Sequence, residues 1–338
     1  MTTVFVSGAT GYIAKHVVQQ LLDKKYKVVG SVRTTEKGEA LAKDLNSSDF
    51  TYEVVPDIAA KGCFDDALKK HPEVTVFLHT ASPFHFAAKD LEKDMLVPAI
   101  EGTRNALSAI KDHGSRVKNV VVTSSFAAIM NSSPSHPQEK PSYTEESWNP
   151  VTWEEALANG FNAYIASKKF AEEEAWNFVN KEKPQFKLSV VNPTYVFGPQ
   201  LKDTDVKGTL NTSAEVINSL LKLKATDEVP NLQGPFTDVR DSAKAHLFAF
   251  ENSEAVGQRL LLWEESFTSQ EVLDIIHKHF PELNDKLPKG TPGSGVKPVG
   301  MDNKTAIDNA KTRKLLGSFI NLEKSVVDTV AQVLRANK

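Results

Sequence analysis

A tyrosine and a lysine near the middle of the chain have the spacing that proton transfer requires. Tyr164 and Lys168 are four residues apart in a segment with helical character. On a helix such residues share one face, about 6 Å apart along the axis, so both head groups can reach one small site. A nearby cation lowers the pKa of a phenol from about 10, which suits tyrosine to proton transfer near neutral pH. Taken alone, the spacing also fits an amphipathic helix with a half-buried tyrosine and a solvated lysine.

Polar residues follow two predicted strands that would bring them close to this pair. Thr123, Ser124 and Ser125 come after an apolar run at 117–122, and Asn192 comes after another at 186–191. In an open parallel sheet, ligands bind beyond the carboxyl ends of the strands. The serine hydroxyls therefore either face a ligand or only cap the strand end. Prolines and a glycine within 192–199 are expected to break regular structure there.

The N-terminal segment reads as a strand, a glycine turn and a helix. Gly8 and Gly11 follow the apolar run at 4–6, and helical apolar spacing covers 16–22. Such a turn allows close backbone approach, and the helix N-terminus offers amide donors to a pyrophosphate. Lys15 is not followed by Ser or Thr, so the segment does not predict a nucleoside-triphosphate loop. A purely structural turn is the alternative.

Two cations stand where a dinucleotide fold would meet the adenosine ribose. Arg33 ends the second predicted strand, 22 residues after Gly11 (33 − 11), and Lys37 follows one helical turn later. An acidic residue at this place would bond the ribose 2′-hydroxyl, whereas an arginine accommodates a 2′-phosphate. The pattern favours NADP over NAD. With Glu36 between them, the two cations are alternatively a solvated surface pair.

The ends of the third and fourth predicted strands supply the remaining candidates for the cofactor cleft. Asp57 and Ile58 follow the third strand, where the carboxylate faces an adenine or only caps its turn. Small residues end the fourth strand and leave room for a cofactor: Thr80, Ala81 and Ser82.

Strand and helix patterns alternate through the first six strands. This predicts an α/β fold, a Rossmann-type doubly wound parallel sheet, with a smaller C-terminal substrate lobe interleaved with it. We assign 1–192 to an NADP-binding domain with return elements at about 237–264, and 193–236 and 265–338 to the substrate lobe. In the C-terminal third the patterns predict helices at 210–223, 237–250, 268–280 and 322–334 and a strand at 259–263.

Composition narrows the class of protein. The chain has 338 residues, a formal net charge of −3 and a single cysteine, Cys63. This balance gives no reason to expect nucleic acid or a membrane surface as partner. No histidine, cysteine and carboxylate cluster has metal-ligand spacing, so no metal is expected. The N-terminus lacks the features of a signal peptide, and we expect a cytoplasmic protein, monomeric or homodimeric.

Together these residues resemble the extended short-chain dehydrogenase/reductase family. Within it the chain is similar to a branch of yeast methylglyoxal/3-methylbutanal reductases, related to dihydroflavonol reductases. The resemblance runs from end to end and is carried by residues 4–14, 78–84, 123–125, 162–168, 191–199 and 237–241. One feature departs from the family: no asparagine of a proton relay matches near Ala99 to Gly102.

The resemblance implies roles for single residues. Tyr164 would protonate a carbonyl oxygen as hydride arrives. Lys168 would lower the pKa of the Tyr164 hydroxyl and bond the nicotinamide ribose. Ser125 would hydrogen-bond the carbonyl oxygen. The cofactor-binding set it implies is Gly8, Thr10, Gly11, Tyr12, Ile13, Arg33, Lys37, Asp57, Ile58, Thr80, Ala81, Ser82, Thr123, Tyr164, Lys168, Asn192, Pro193, Val196 and Ser213.

The aromatic residues near these motifs predict an apolar substrate pocket, although each also fits core packing. The candidates are Phe84, Phe86, Phe126, Phe161 and Tyr195. The function predicted is NADPH-dependent reduction of aldehydes and ketones. The alternatives are an NAD-dependent sugar-nucleotide epimerase and a non-catalytic NADP-sensing protein. No arginine is obviously placed for a nucleotide-sugar diphosphate, and a sensor has no need of Ser, Tyr and Lys together.

Overall fold

The computed structural model describes residues 2–82, 89–133, 135–136, 142–207, 210–295 and 306–338. Its strands are β1 (Thr3–Ser7), β2 (Lys27–Val32), β3 (Phe50–Val54), β4 (Val74–His79), β5 (Asn119–Thr123), β6 (Ser142–Tyr143), β7 (Lys187–Pro193), β8 (Tyr195–Phe197), β9 (Gln233–Asp238), β10 (Arg259–Leu262), β11 (Glu265–Thr268) and β12 (Ala306–Ile307). Its α-helices are α1 (Tyr12–Asp23), α2 (Thr35–Leu45), α3 (Asp65–Lys70), α4 (Val97–His113), α5 (Trp153–Ala156), α6 (Gly160–Glu182), α7 (Thr212–Leu220), α8 (Val239–Glu251), α9 (Ser269–His279), α10 (Ala310–Leu316) and α11 (Leu322–Ala336).

Seven strands form one parallel sheet in the order β10-β7-β5-β4-β1-β2-β3. The central strands β1, β4 and β5 are rich in Val and Phe and buried, as strands covered on both faces must be. Helices α1 and α8 contribute to the core on one face, and α3, α4 and α6 to the core on the other. The predicted doubly wound α/β sheet is confirmed.

Helix α6 carries the tyrosine and lysine and is 23 residues long. The Asn159 side chain caps its N-terminus by accepting a hydrogen bond from the Asn162 amide at 2.9 Å. Its C-terminus ends at Lys183, whose backbone is left-handed with φ 45°. The helix packs against α4 and contacts β7, so one of its faces meets the sheet.

The helical pattern before α4 does not begin as a regular α-helix. Residues Glu92–Leu96 form a π-helical segment, and α4 begins at Val97 with Pro98 in its first turn. Proline has no backbone N–H, so an α-helical bond from residue 98 back to residue 94 is absent. The wider turn fits that gap.

A second sheet was not expected from the sequence. β8 pairs with β9 in parallel and β11 pairs with β9 antiparallel, in a three-stranded sheet. The expectation that prolines and a glycine break regular structure within 192–199 is wrong for Tyr195–Phe197, which form β8. Thr237 and Asp238 are the last residues of β9, so the helix predicted from 237 begins at Val239. β8 and β11 have only three and four residues, and β9 contains Gly234 and Pro235, so no alternation of two marks them. Pairing with neighbours defines them. A further pair joins β6 and β12.

The large sheet is completed from the C-terminal third of the chain. β10 pairs with β7 in parallel, from Arg259 opposite Val190 to Leu262 opposite Pro193. Helix α8, which precedes it, packs on α1. The sheet is therefore interleaved with the segments that follow β7, while the domain boundaries stay a prediction. Within the part of the chain that the structure describes, no helix has the length and apolarity needed to cross a bilayer.

Candidate active site

A cavity of about 470 Å³ opens at the carboxyl ends of β1, β2, β3 and β4. It brings together ten of the residues predicted to bind the cofactor. They are Gly8, Thr10, Gly11, Arg33, Lys37, Asp57, Ile58, Thr80, Ala81 and Ser82. Ser31, Val32, Val55 and Pro56 complete its described lining.

The glycine turn needs its first glycine for both conformation and space. Gly8 has a φ of +65°, and a Cβ there would lie 3.0 Å from the Cα and Cβ of Ala81. Its amide donates to the Ser31 hydroxyl at 3.0 Å. Backbone and side-chain bonds therefore fix the turn that precedes α1, which suits it to hold a phosphate at the helix N-terminus. Sequence reasoning missed Ser31, which only the pairing of β1 with β2 brings here.

Arg33 and Lys37 stand exposed at one end of this cavity. Among the described residues neither side chain forms an ion pair, and Glu36 instead hydrogen-bonds Thr34. The two positive charges are thus available to an anion. Asp57 lines the same cavity, and its carboxylate also accepts from the Ala59 amide at 2.8 Å, so it caps its turn as well.

A second cavity, of about 170 Å³, lies on the side of Tyr164 and is largely apolar. Three predicted pocket aromatics line it, with Phe126 buried and Phe161 53% exposed. Phe84 and Phe86 lie outside the described residues. The complete described lining is Ser125, Phe126, Ala127, Met130, Phe161, Tyr164, Ile165, Thr194, Tyr195, Thr212, Ser213 and Pro235.

The Tyr164 hydroxyl is hydrogen-bonded to Ser125 at the wall of this second cavity. Burial raises the pKa of Tyr164, and the bond from Ser125 counteracts part of that shift. This differs from the expected lowering by Lys168, because desolvation of the phenol dominates. A raised pKa keeps the phenol protonated at neutral pH, as a proton donor requires.

Lys168 lies one turn after Tyr164, and burial lowers its pKa to about 8. Its charge acts on His79 at the end of β4, where burial and Lys168 together lower the pKa of the imidazole to about 4. The Ser7 hydroxyl accepts from the Thr80 and Ala81 amides at 3.1 and 3.0 Å and lies 3.0 Å from His79 Nδ1. The Ser7 hydroxyl can therefore donate its own proton to Nδ1 of a neutral imidazole. His79 is thus a buried histidine with a hydrogen-bond partner.

Several residues predicted to bind the cofactor do not line the first cavity and contact other parts of the chain. The Tyr12 hydroxyl donates to the Gly198 carbonyl at 2.6 Å, and Thr123 Oγ1 lies 2.6 Å from His246 Nε2. Asn192 is fully buried. Of the remaining ones, Ile13 packs on the core, Pro193 ends β7, Val196 is buried in β8, and Ser213 lines the second cavity and not the first.

Helix α4 does carry an asparagine, although not near Ala99 to Gly102. Asn105 donates from Nδ2 to the carbonyls of Ile58 and Ala60, both at 3.1 Å. It thereby holds the loop that presents Asp57 to the first cavity. A buried amide at this place is a contact that the sequence did not reveal.

In the ranges that the structure describes, no group of three or more His, Cys, Asp and Glu side chains could hold a metal ion. Burial raises the pKa of the Cys63 thiol to about 11, which makes it a poor nucleophile at neutral pH.

Comparison with known proteins extends these observations. A family model described as the NAD dependent epimerase/dehydratase family matches residues 4–261. A putative NADPH-dependent methylglyoxal reductase of Candida albicans is 56% identical over 98% of both chains. The NADPH-dependent methylglyoxal reductase of Saccharomyces cerevisiae is 47% identical, again over 98% of both. The crystal structure of yeast methylglyoxal/isovaleraldehyde reductase complexed with NADPH superimposes with a TM-score of 0.93 at 46% identity, covering 99% of each chain.

Proposed function

Because the chain belongs to the NAD dependent epimerase/dehydratase family, we propose that it is an NADPH-dependent reductase of aldehydes and ketones. The observation that carries this proposal is the presence of two cavities at the carboxyl ends of strands of one sheet. One is lined by a glycine turn and two cations that form no ion pair within the described chain, and the other by the hydrogen-bonded hydroxyls of Ser125 and Tyr164.

The proposed chemistry needs one proton donor and one oxygen-binding group from the protein. NADPH, when bound, supplies the hydride that goes to the carbonyl carbon. Tyr164 gives its hydroxyl proton to the carbonyl oxygen, which yields the alcohol, and Ser125 holds that oxygen by a hydrogen bond. A cationic Lys168 stabilises the tyrosinate left behind and, beside it, bonds the nicotinamide ribose.

The preference for NADPH rests on Arg33 and Lys37. A 2′-phosphate on the adenosine ribose gains charge-assisted hydrogen bonds from these exposed groups, whereas NADH offers only a hydroxyl. The residues around the glycine turn and the small residues after β4 suit the rest of the dinucleotide.

The substrate class follows from the second cavity. Its described lining has no Lys, Arg, Asp or Glu, so it suits a neutral carbonyl compound with an apolar substituent. Methylglyoxal and isovaleraldehyde, named for the relatives above, are small carbonyls of this kind. The absence of a cation from that described lining weighs against a sugar-nucleotide diphosphate.

A panel of carbonyl compounds with both cofactors tests the proposal. Purified protein is mixed with NADPH or NADH and methylglyoxal, 3-methylbutanal or an aryl ketone, and absorbance loss and product chirality are measured. We expect turnover with NADPH and one dominant enantiomer from the ketone. An epimerase would hold NAD through purification and oxidise no NADPH, and a sensor would bind NADPH without turnover. No absorbance loss across the panel refutes the reductase.

We further propose a cytoplasmic location and a monomer or homodimer, which fractionation and light scattering would test.

A further inference from the structure

Helix α6 presents a third polar side chain on the face that carries Tyr164 and Lys168. Glu172 follows Lys168 by one helical turn, and only 1% of its surface is exposed. A carboxylate this deeply buried is costly unless every oxygen is paired. Its partners are therefore informative.

Four donors satisfy the two oxygens of Glu172. Oε2 accepts from Ser124 Oγ at 2.6 Å and from Asn192 Nδ2 at 2.7 Å. Oε1 accepts from Arg259 Nε at 2.6 Å and from Trp176 Nε1 at 3.3 Å. Since β5, β7 and β10 are neighbours in the sheet, one carboxylate ties the helix to the ends or starts of three strands.

The charge on Glu172 is balanced by an arginine that is itself held in place. Arg259 donates from Nη1 to the carbonyls of Glu145 and Ser147 at 2.7 and 2.6 Å. Its guanidinium lies 4.1 Å from the centroid of the Trp148 ring. These contacts leave the guanidinium little freedom, so it presents a fixed Nε–H to the carboxylate.

Asn192 connects this ion pair to the active site. Its Nδ2 donates both to Glu172 and, at 3.1 Å, to the carbonyl of Ser125. Its Oδ1 has no hydrogen-bond partner within the described chain, so only the amide nitrogen determines how the side chain is turned. Glu172 thus sets the orientation of the amide that holds Ser125, and Ser125 bonds the Tyr164 hydroxyl.

We propose that Glu172 is a positioning residue, which acts through Asn192 on Ser125 and depends on Arg259. The inference rests on the proposed function, because it concerns how Ser125 and Tyr164 are aligned for proton transfer. A residue that only stabilised the fold would lower the unfolding temperature without changing the alignment of these two hydroxyls.

Glu172→Gln is the direct test. The amide nitrogen of glutamine would replace one carboxylate oxygen and would face the two hydrogen-bond donors that this oxygen accepts from. We expect kcat to fall roughly 10- to 100-fold, since a displacement of about 1 Å in a reacting group costs about 100-fold. KM for the carbonyl and Kd for NADPH, measured by fluorescence titration, should change less than about threefold. The matched control is Glu173→Gln, which alters a pair with Lys169 within α6 that does not involve Ser125 or Tyr164, and which should keep the wild-type kcat.

A double-mutant cycle with Ser125→Ala separates positioning from general destabilisation. If Glu172 acts through Ser125, Glu172→Gln will cost little further kcat once the serine hydroxyl is gone. Effects of Glu172→Gln and Ser125→Ala that multiply would overturn the inference, as would a Glu172→Gln variant with wild-type kcat. In both cases a large loss from Ser125→Ala alone would leave the proposed function standing. Wild-type kcat in Ser125→Ala would refute both the assigned serine and this inference.

Asn192→Ala keeps the proposal testable where Glu172→Gln does not fold. It leaves the ion pair of Glu172 and Arg259 in place and removes the amide that joins Glu172 to the Ser125 carbonyl. We expect the same loss of kcat and the same coupling with Ser125→Ala, with Tm recorded for each variant. An Asn192→Ala protein with unchanged kcat, or with a loss independent of Ser125, overturns the proposal.

Discussion

The two ends of the cleft are built in opposite ways. At the end proposed to bind the adenosine ribose, Arg33 and Lys37 are exposed, and neither makes an ion pair among the described residues. At the other end, burial shifts the pKa values of Tyr164 and Lys168, and Glu172 is held by four donors. The first end is a pair of independent charges and the second a connected network.

In the proposed enzyme, cofactor preference and proton transfer therefore depend on two different kinds of contact. Independent exposed charges can be exchanged with little consequence for the rest of the fold, so cofactor preference can change by single substitutions. A buried polar network is fully satisfied or costly, so its members act together and their effects do not add. The following experiments test the contrast.

The largest effect is expected at the connected end. Tyr164→Phe removes the proton donor but keeps the ring, so kcat should fall roughly 1,000-fold, within the range for loss of a general acid. NADPH binding, followed by fluorescence titration, should persist. Tyr26→Phe, which removes a hydroxyl bonded to Glu251 far along the sequence on α8, is the matched control. Comparable loss of activity in both variants would remove the special role of Tyr164.

At the independent end, Arg33→Asp should weaken NADPH alone. Loss of a charge-assisted bond and gain of a like charge should raise KM for NADPH roughly 10- to 100-fold. KM for NADH should change little, and Tm should stay near that of the wild type. The control is Lys43→Asp. Lys43 is an exposed cation of α2 that does not line the cavity. Equal losses with both cofactors would contradict a 2′-phosphate site.

The burial of Lys168 predicts a pH dependence of stability. Its pKa is about 8 in the folded protein, below the ordinary lysine value of 10.5. Between pH 8 and 10.5 the unfolded chain therefore carries more of this proton than the folded protein does. The free energy of unfolding should therefore rise with pH from about 8 upward, by at most about 1.4 kcal/mol per pH unit from this residue. Urea unfolding of wild type and Lys168→Met at pH 8 and 9 measures the difference. Lys181→Met, 84% exposed at the end of α6, should retain the wild-type slope; a Lys168→Met protein that also retains it would show that Lys168 is not desolvated.

The smallest effect is expected at Phe161, where the substrate cavity meets solvent. Because its side chain is already 53% exposed, Phe161→Ala should change Tm little. It should alter the ratio of kcat/KM for an aryl ketone over 3-methylbutanal by roughly fivefold, as loss of a few apolar contacts does. Leu157→Ala, 39% exposed and outside the cavity lining, should leave that ratio unchanged. An unchanged ratio in Phe161→Ala would place substrate choice elsewhere.

The sequence predicted the large sheet because its strands are buried apolar runs separated by helical periods. It also predicted most of the first cavity, since glycines, cations and small residues stood at strand ends. It did not predict β8 and β11, which are only three and four residues long, or β9, which contains Gly and Pro; all three are defined by pairing. The pKa of Tyr164 was expected to be lowered, because burial cannot be read from a four-residue spacing.

The four-residue spacing also makes Glu172 a candidate for the site. It repeats the spacing from Tyr164 to Lys168 once more, so the three side chains share a helix face. Nothing local distinguishes it from Glu173 and Glu174, which are half-buried and pair with Lys169 and Arg104. Its importance comes from Arg259, which the chain supplies far along the sequence and which only the sheet brings near.

The place of β10 in the sheet also has a consequence for synthesis on the ribosome. The strand that opens with Arg259 emerges only after β8 and β9, although it pairs with β7. Until then a nascent chain holds Glu172 without its guanidinium partner, and β7 remains an uncovered edge. Helix α6 therefore gains its arginine partner only late in translation, and we expect a ribosome-bound chain stalled before residue 259 to expose the edge of β7 to chaperones.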